Sequence, residues 1–369
     1  MVEWKKLGDI CEIKTGRGIT QKDCTEKGLY PVISGGQAPM GMYNHYNREA
    51  NNITISRVGA NAGYVSYIWQ RFYLNDKCFS IIPLNDTIFN KRYLYIILKS
   101  KEDGIRKLQS EGGVPTINTQ KLSSLIIPVP SLSEQKHIVD KLDTFTTSIE
   151  NLKEQIAQRR KQYEYYRNQL LDLEGKEGVD IHTWGEFCEM IKGNGVQKVD
   201  FVDEGKGCIH YGQIYTHYGP YTYTTNKFVS NETFEKAKKA SKGDLIMTDT
   251  SENVEDICKS VAWLGNDDIA VSNHALIIKH NQNPKFLSFS TQTNSFLLQK
   301  RKVVVGVKVS GIKPDHLAQI RIFLPSLQEQ QRIVSILDTF EASIQNLEAQ
   351  LSQREKQYEY YRNKLLTFE

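Results

Sequence analysis

Residues 131–174 and 326–369 are two copies of one stretch, separated by a constant offset of 195 positions without a gap, and 28 of the 44 aligned positions are identical. Each copy opens after a proline (Pro130, Pro325) with serine followed three residues later by glutamate: Ser131 with Glu134, and Ser326 with Glu329. That spacing is a capping box, in which serine and glutamate side chains satisfy free backbone N–H groups at a helix start. From there the seam residues step by four and three: Ile138, Leu142, Phe145, Ile149, Leu152, Ile156, Arg159, Tyr163, Tyr166, Leu170, and in the second copy Ile333, Leu337, Phe340, Ile344, Leu347, Leu351, Arg354, Tyr358, Tyr361, Leu365. A heptad seam this long specifies a coiled-coil helix of roughly 60 Å at about 1.5 Å per residue. Such a helix must cover its stripe, and the other copy is the natural partner.

Chain order makes the pair antiparallel: the first helix leads away from the first module and the second returns. A pair symmetric about residue 154 and its mate places Ile138 near Leu365, Phe145 near Tyr358, Leu152 near Leu351 and Tyr163 near Phe340. Arg159 then faces Ile344, and Arg354 faces Ile149. Arginine at a seam position trades stability for register.

The segments outside the copies also run in parallel order. Trp4-Lys-Lys-Leu7 is echoed by Trp184-Gly-Glu-Phe187, Thr15-Gly-Arg-Gly18 by Lys192-Gly-Asn-Gly195, and Gly36-Gln37 by Gly212-Gln213. Strands are predicted at Leu29–Ile33, Asn52–Ser56, Tyr64–Trp69 and Cys78–Leu84, a helix over Asn90–Ser110 and an extended run at Leu125–Pro130. In the second module strands are predicted at Lys242–Met247 and His274–His280, a helix at Pro284–Lys300 and an extended run at Val303–Val309. Thr248-Asp-Thr-Ser251 stands where Ser56-Arg57 stands in the first module. The fold class is α+β: a tandem duplication divided into 1–130, 131–174, 175–325 and 326–369, with two globular modules, each followed by a long helix, and pseudo-two-fold symmetry.

Composition narrows the function. Residues 1–130 carry 17 Lys/Arg against 11 Asp/Glu, whereas residues 175–325 carry 18 against 17. The excess lies in the variable parts, which fits contact with a polyanion. Six cysteines without a C-x-x-C pair read as free thiols in a reducing compartment. With no apolar run long enough to span a bilayer and no signal-peptide core, the chain is read as cytoplasmic. Enzyme motifs are missing. Asn283-Pro-Lys-Phe286 lacks the second proline of an adenine methyltransferase motif. Gly175-Lys176 and Gly205-Lys206 do not complete a P-loop. Pro314-Asp315 has no E-x-K to make a nuclease site, and the isolated histidines have no metal spacing. A non-catalytic chain without cofactor or metal is expected.

Two variable modules, each followed by a capped helix entered through Pro130-Ser-Leu-Ser-Glu-Gln135 or Pro325-Ser-Leu-Gln-Glu-Gln330, resemble the specificity (S) subunit of type I restriction–modification enzymes. So do Lys-Gln-Tyr-Glu-Tyr-Tyr-Arg-Asn-x-Leu-Leu at 161–171 and 356–366, the opening Trp-Lys-Lys-Leu-Gly-Asp-Ile, and Gly113-Val-Pro-Thr-Ile-Asn-Thr-Gln-Lys-Leu122. The second module departs from the pattern at Gly306-Val-Lys-Val-Ser-Gly-Ile-Lys313. The resemblance implies that each module is a target recognition domain reading one half of a split site in double-stranded DNA. It implies that the coiled coil sets the spacer, that two methyltransferase subunits dock on the repeated frame, and that motor-nuclease subunits join the full complex. The rival is a two-fold protein scaffold that binds no DNA.

Base readout needs paired donors and acceptors on loops held by a scaffold. Gln37 and Gln213 suit adenine and Arg57 suits guanine. Asp249 suits the cytosine amine, with Thr248 and Ser251 beside it. Tyr43, Asn44, His45 and Asn61 in the first module, and Asn194, Tyr211, Tyr215 and His217 in the second, sit on polar aromatic loops. Lys14, Arg17, Lys192 and Lys198 are candidate phosphate contacts. On the helices, Phe145, Arg159, Tyr163, Phe340, Arg354 and Tyr358 belong to the seam. Tyr165, Arg167, Tyr360 and Arg362 do not, and are expected to meet a partner or the base of a module.

Overall fold

The computed structural model describes residues 2–85, 87–110, 113–305 and 310–368. The chain divides into two compact units, Met1–Lys153 with Ala349–Glu369, and Glu154–Glu348. Each contains one variable module and parts of both long helices.

In the first unit an antiparallel sheet runs in the order Cys11–Thr15, Cys78–Pro83, Asn52–Ser56, Val65–Ile68. Asn52–Ser56 is an inner strand, and Ile53 through Ser56 are buried on both faces, as expected of a strand covered twice. A small sheet of Met42–Tyr43, Tyr30–Ile33 and Tyr73–Leu74 lies beside it. Asn90 caps Lys91–Ser100 by accepting from the Arg92 and Tyr93 amides, and that helix buries Tyr93, Leu94, Ile96, Ile97 and Leu98. The single helix expected over 90–110 is two, Lys91–Ser100 and Glu102–Arg106. The break is at Lys101, where ψ rises to 10°, and the next residue, Glu102, reaches out of the helix to accept from the Val65 amide at 3.0 Å. Burial would raise the Glu102 carboxyl, yet hydrogen bonds from Lys99, the Val65 amide and Arg106 hold it below its usual range.

The second unit uses the same strand order, Cys188–Lys192, Ala275–His280, Leu245–Thr248, Ser260–Trp263, and adds Tyr221–Thr222 at the edge. Where the first module has a three-stranded small sheet, the second has five strands: Phe201–Val202, Lys227–Val229, Lys206–Ile209, Ile269–Val271, Lys239–Ala240, with the same antiparallel and parallel neighbours around the middle strand. The helix expected over 284–300 is again two, Pro284–Ser290 and Asn294–Val303, the latter capped by Thr293. The extended run expected at Val303–Val309 begins instead as the end of that helix, and residues 306–309 lie outside the described residues, as do 111 and 112 of the first module's loop.

The long helices are Leu132–Leu171 and Leu327–Leu365. The first capping box closes fully: Ser131 N–H donates to Glu134 at 3.0 Å, and Glu134 N–H donates to Ser131 Oγ at 3.3 Å. The second closes by half. Glu329 N–H donates to Ser326 Oγ, but the Glu329 carboxylate accepts a bidentate pair from Arg332, at 2.7 and 2.7 Å. The first copy has His137 at that position.

Within each unit the helix segments run antiparallel. The first unit pairs Phe145 with Tyr361 and Lys153 with Glu355; the second pairs Tyr166 with Phe340 and Arg160 with Glu348. The aromatic layers are one turn away from the expected ones. Phe145 stacks on Tyr361 at 5.2 Å rather than meeting Tyr358, and Phe340 stacks on Tyr166 at 5.3 Å rather than meeting Tyr163. The arginines shift likewise. Arg354 lies over Phe145 at 5.6 Å and Arg159 over Phe340 at 5.9 Å, each one turn from the isoleucine it was expected to face. A guanidinium on a long stem gains more over an aromatic face than beside an aliphatic chain. Tyr358 is thereby free to pack into the first unit's core, and Tyr163 into the second's.

A glutamine in each entry motif ties helix to module. Gln135, fully buried, accepts from the Asn90 amide at 2.9 Å and donates to the carbonyls of Ile88 and Pro130 at 2.8 and 2.9 Å. Gln330, equally buried, accepts from the Asn283 amide at 3.0 Å and donates to the Pro325 carbonyl at 2.9 Å and to Gln282 Oε1 at 2.8 Å. An ion pair adds to each: Arg92 with Asp143 at 2.8 Å, and Lys285 with Asp338 at 2.8 Å.

Candidate nucleic-acid interface

Three adjacent strands of each module end together, and the turns beyond them form one loop cluster. In the first module the ends are Thr15, Cys78 and Ser56, with Thr15 opposite Phe79 and Ser56 opposite Cys78. The backbone continues the ladder from there, as Arg57 N–H donates to the Lys77 carbonyl at 2.8 Å. A Cβ on Gly16 would collide with the Leu74 carbonyl at 2.0 Å, and one on Gly35 with the Val58 carbonyl at 2.5 Å. Glycine at these places lets the loops close on one another. The cluster brings together Arg17, Gln37, Arg57 and Asn61: Arg17 N–H donates to Leu74, Gln37 Nε2 donates to Asn61 Oδ1 at 3.3 Å, and Arg57 donates to the Asp76 carbonyl at 3.3 Å while lying over Phe79. Tyr43 packs edge-on against Tyr73 and His45, and Asn44 and His45 are exposed. Lys14 turns back along its strand to Glu12 at 2.7 Å.

The second module builds the same end from different side chains. Lys192, Thr248 and Ala275 end the strands, and Asp249 N–H donates to the His274 carbonyl at 3.1 Å. Asp249 therefore stands at the place of Arg57, and His274 at that of Lys77. A Cβ on Gly193 would meet the Ser272 carbonyl at 2.4 Å. Asp249, 4% exposed, pairs with Lys192 Nζ at 3.1 Å and accepts from Thr250 Oγ at 2.9 Å. Tyr211 meets the His274 ring at 5.3 Å, and Lys198 and His217 are exposed nearby in sequence.

Several expected readers are occupied within the fold. Gln213 spends its amide locally: Oε1 accepts from the His210 amide at 2.9 Å, Nε2 donates to Asn226, and the residue closes the cap of a short helix, Tyr211–Thr216. Thr248 is fully buried with its hydroxyl on the Lys259 carbonyl. Asn194 accepts from the Lys238 amide. Ser251 is 9% exposed and accepts from the Asn253 amide. Tyr215 donates to the Thr250 carbonyl at 2.6 Å, and burial pushes its phenol up to about 12. The physical reason is shared: polar residues next to strand ends find backbone partners before solvent. His274 was not singled out from the sequence; its signal is a backbone φ of +66°, which no sequence pattern announces.

On the helices, Tyr165 and Tyr360 are 58% and 61% exposed, and each packs edge-on against the neighbouring seam tyrosine. Arg167 donates to Gln292 at 3.0 Å, at the base of the second module, whereas Arg362 lies over Tyr358 and donates to Asn363. Tyr163 donates to Glu341 at 3.0 Å. Burial raises the Glu341 carboxyl, against hydrogen bonds from Tyr221 and Tyr163. In the second unit Arg159, Tyr166, Leu170, Arg332 and Phe340 line a groove of about 760 Å³. Among the described residues no group of His, Cys, Asp and Glu is arranged to hold a metal ion, and no helix is long and apolar enough to cross a membrane.

The profile of the type I restriction modification DNA specificity domain matches residues 1–159 and again 177–355. The chain belongs to that family. Full-length relatives agree: a specificity subunit of a type I restriction enzyme from Escherichia coli is 25% identical, covering 100% of this chain and 94% of its own. A Haemophilus influenzae protein described as a candidate type I specificity subunit is 26% identical over 100% and 96%. The crystal structure of an S subunit from Mycoplasma genitalium superposes with a TM-score of 0.66 at 17% identity, covering 100% of this chain and 97% of that one. This places the fold among S subunits, and the two profile matches coincide with the duplicated order of module and helix.

Proposed function

We propose that this chain is the non-catalytic DNA-recognition subunit of a type I restriction–modification complex. Each module reads one half of an asymmetric bipartite target, with an unread spacer set by the long helices. The repeated helix surface docks two methyltransferase subunits, and motor-nuclease subunits complete the assembly. The observation that carries the reading is the pair of strand-end clusters. One scaffold, with the same backbone ladder at Arg57–Lys77 and Asp249–His274, displays cationic side chains in one module and a carboxylate–imidazole set in the other. Two unlike readers on one frame suit two unlike half-sites. Arg57 and Gln37 are assigned to bases in the first module. Arg17, Lys192 and Lys198 are assigned to phosphates, which position without specifying, and Tyr43, Asn44, His45, Asn61, Tyr211 and His217 to the rims of the two grooves. Exposed Tyr165 and Tyr360, alike in both copies, are assigned to the methyltransferase contact.

The test is binding to a randomised duplex pool, with and without the methyltransferase subunits, at rising salt. Selection of a split motif, with the logarithm of affinity falling linearly in log salt, is the expected result. A chain that assembles with its partners and selects no sequence would be a scaffold instead.

A further inference from the structure

We infer that His274 is a specificity-determining residue of the second module, and that it presents a hydrogen-bond acceptor to an amine-bearing base, cytosine or adenine. The inference rests on the reading of that module as a DNA reader. His274 holds φ at +66°, a left-handed backbone that a side chain larger than glycine's seldom adopts. Such strain persists where the surroundings impose it, and it gathers at functional sites. Here it swings the ring out of the strand end, leaving the side chain 52% exposed, while its carbonyl still accepts from Asp249 N–H.

The protonation pattern of the ring follows from its neighbours. Asp249 is a buried carboxylate paired with Lys192 at 3.1 Å, so it only accepts. The contact of 2.9 Å between Thr250 Oγ and Asp249 Oδ1 therefore takes the single hydroxyl proton of Thr250. The contact of 3.3 Å between Thr250 Oγ and His274 Nδ1 must then be made by an Nδ1–H donating to the hydroxyl oxygen. In the neutral imidazole that leaves Nε2 without a proton, and Nε2 makes no hydrogen bond among the described residues. In that neutral form the exposed end of the ring is a lone pair, oriented by the Thr250 contact and by Tyr211, whose ring lies at 5.3 Å. In the major groove only cytosine N4 and adenine N6 offer a donor to such a group. Guanine O6 and N7 and thymine O4 are acceptors and are rejected.

The experiment is methylation of a randomised duplex library by the full complex, read by sequencing. Wild type is expected to return a bipartite motif. His274→Ala should lower the preference at one position of one half by about fivefold, the low end of the cost of a lost base contact, and leave the other half unchanged. Thr250→Val, which removes the acceptor for Nδ1–H, should relax the same position, and Thr250→Ser should keep it. His274→Lys, a donor only, should shift that position towards guanine. A motif unchanged in His274→Ala and Thr250→Val, with methylation intact, overturns the inference and leaves the reading of the modules standing. A wild-type complex that methylates without sequence preference overturns the reading itself. Denaturation followed through Trp184 and Trp263 verifies that the variants fold, and Thr250→Val keeps the test decisive if His274→Ala does not.

Discussion

Replacing Gln135 by methionine removes the amide from its buried site while nearly preserving its volume. Three backbone groups lose their partner: the Asn90 amide at 2.9 Å and the carbonyls of Ile88 and Pro130 at 2.8 and 2.9 Å. With Gln135 fully buried, water does not replace it. At roughly 1–3 kcal/mol for each buried group left unsatisfied, and taking the low end because carbonyls tolerate under-satisfaction better than amides, the cost is about 3–4 kcal/mol. Gln330→Met orphans two backbone groups, since its third partner is the side chain of Gln282, which is half-buried and able to turn to solvent. Its cost is about 2–3 kcal/mol on the same scale. Each unit carries two tryptophans, Trp4 and Trp69 in the first, Trp184 and Trp263 in the second. Urea titration of the two variants, each also prepared with the other unit's tryptophans changed to phenylalanine, assigns the loss to a unit. A shift below about 0.5 kcal/mol, the range of an ordinary surface substitution, would refute the claim that these glutamines join helix to module. An equal shift in both variants would refute the accounting of orphaned groups.

Arg92→Met should destabilise the first unit by about 2 kcal/mol, because a largely buried guanidinium leaves Asp143 without its partner and abandons the rings of Tyr67, Trp69 and Tyr95; denaturation midpoints in low and high salt measure it, with little salt dependence expected. Glu341 has its folded-state carboxyl raised by burial above the ordinary 4.5, so its contribution is full below that value and is lost as pH rises through the raised one. Glu341→Gln should flatten this part of the stability–pH curve and be neutral or stabilising at pH near 7, as followed by thermal unfolding. Tyr165→Ala and Tyr360→Ala should leave folding intact and weaken co-elution with methyltransferase subunits on gel filtration; unchanged assembly would remove these tyrosines from the docking surface.

The long helices were legible because their information is local: a cap, a period and a proline are read within a few residues. Register was less legible. Seam spacing is satisfied equally by neighbouring alignments one turn apart, and the selection came from aromatic stacking and two guanidinium–ring contacts that no period encodes. Four strands of the first module and its extended run at 125–130 were legible to within one or two residues, but Glu3–Lys6, Cys11–Thr15, Met42–Tyr43 and Tyr73–Leu74 were not, nor was the five-stranded sheet of the second module, since its short strands pair across long separations. Among candidate readers, residue type was a poor guide for Gln213, Thr248 and Asn194, whose polar groups are taken by nearby backbone. Arg57 and Asp249 were placed at corresponding positions by the order of elements alone. Their shared ladder to Lys77 and His274 belongs to tertiary structure.

That shared ladder has a consequence for how such chains diversify. The bonds from Arg57 to Lys77 and from Asp249 to His274 join main-chain atoms only, so the frame is indifferent to the letters written on it. Mutations at the exposed Lys77 and the half-buried Arg57 are filtered more by what the protein selects than by whether it folds, whereas the buried Asp249 and the left-handed His274 answer to both. The same ladder can carry an unlike vocabulary in each module without a second kind of scaffold to hold it.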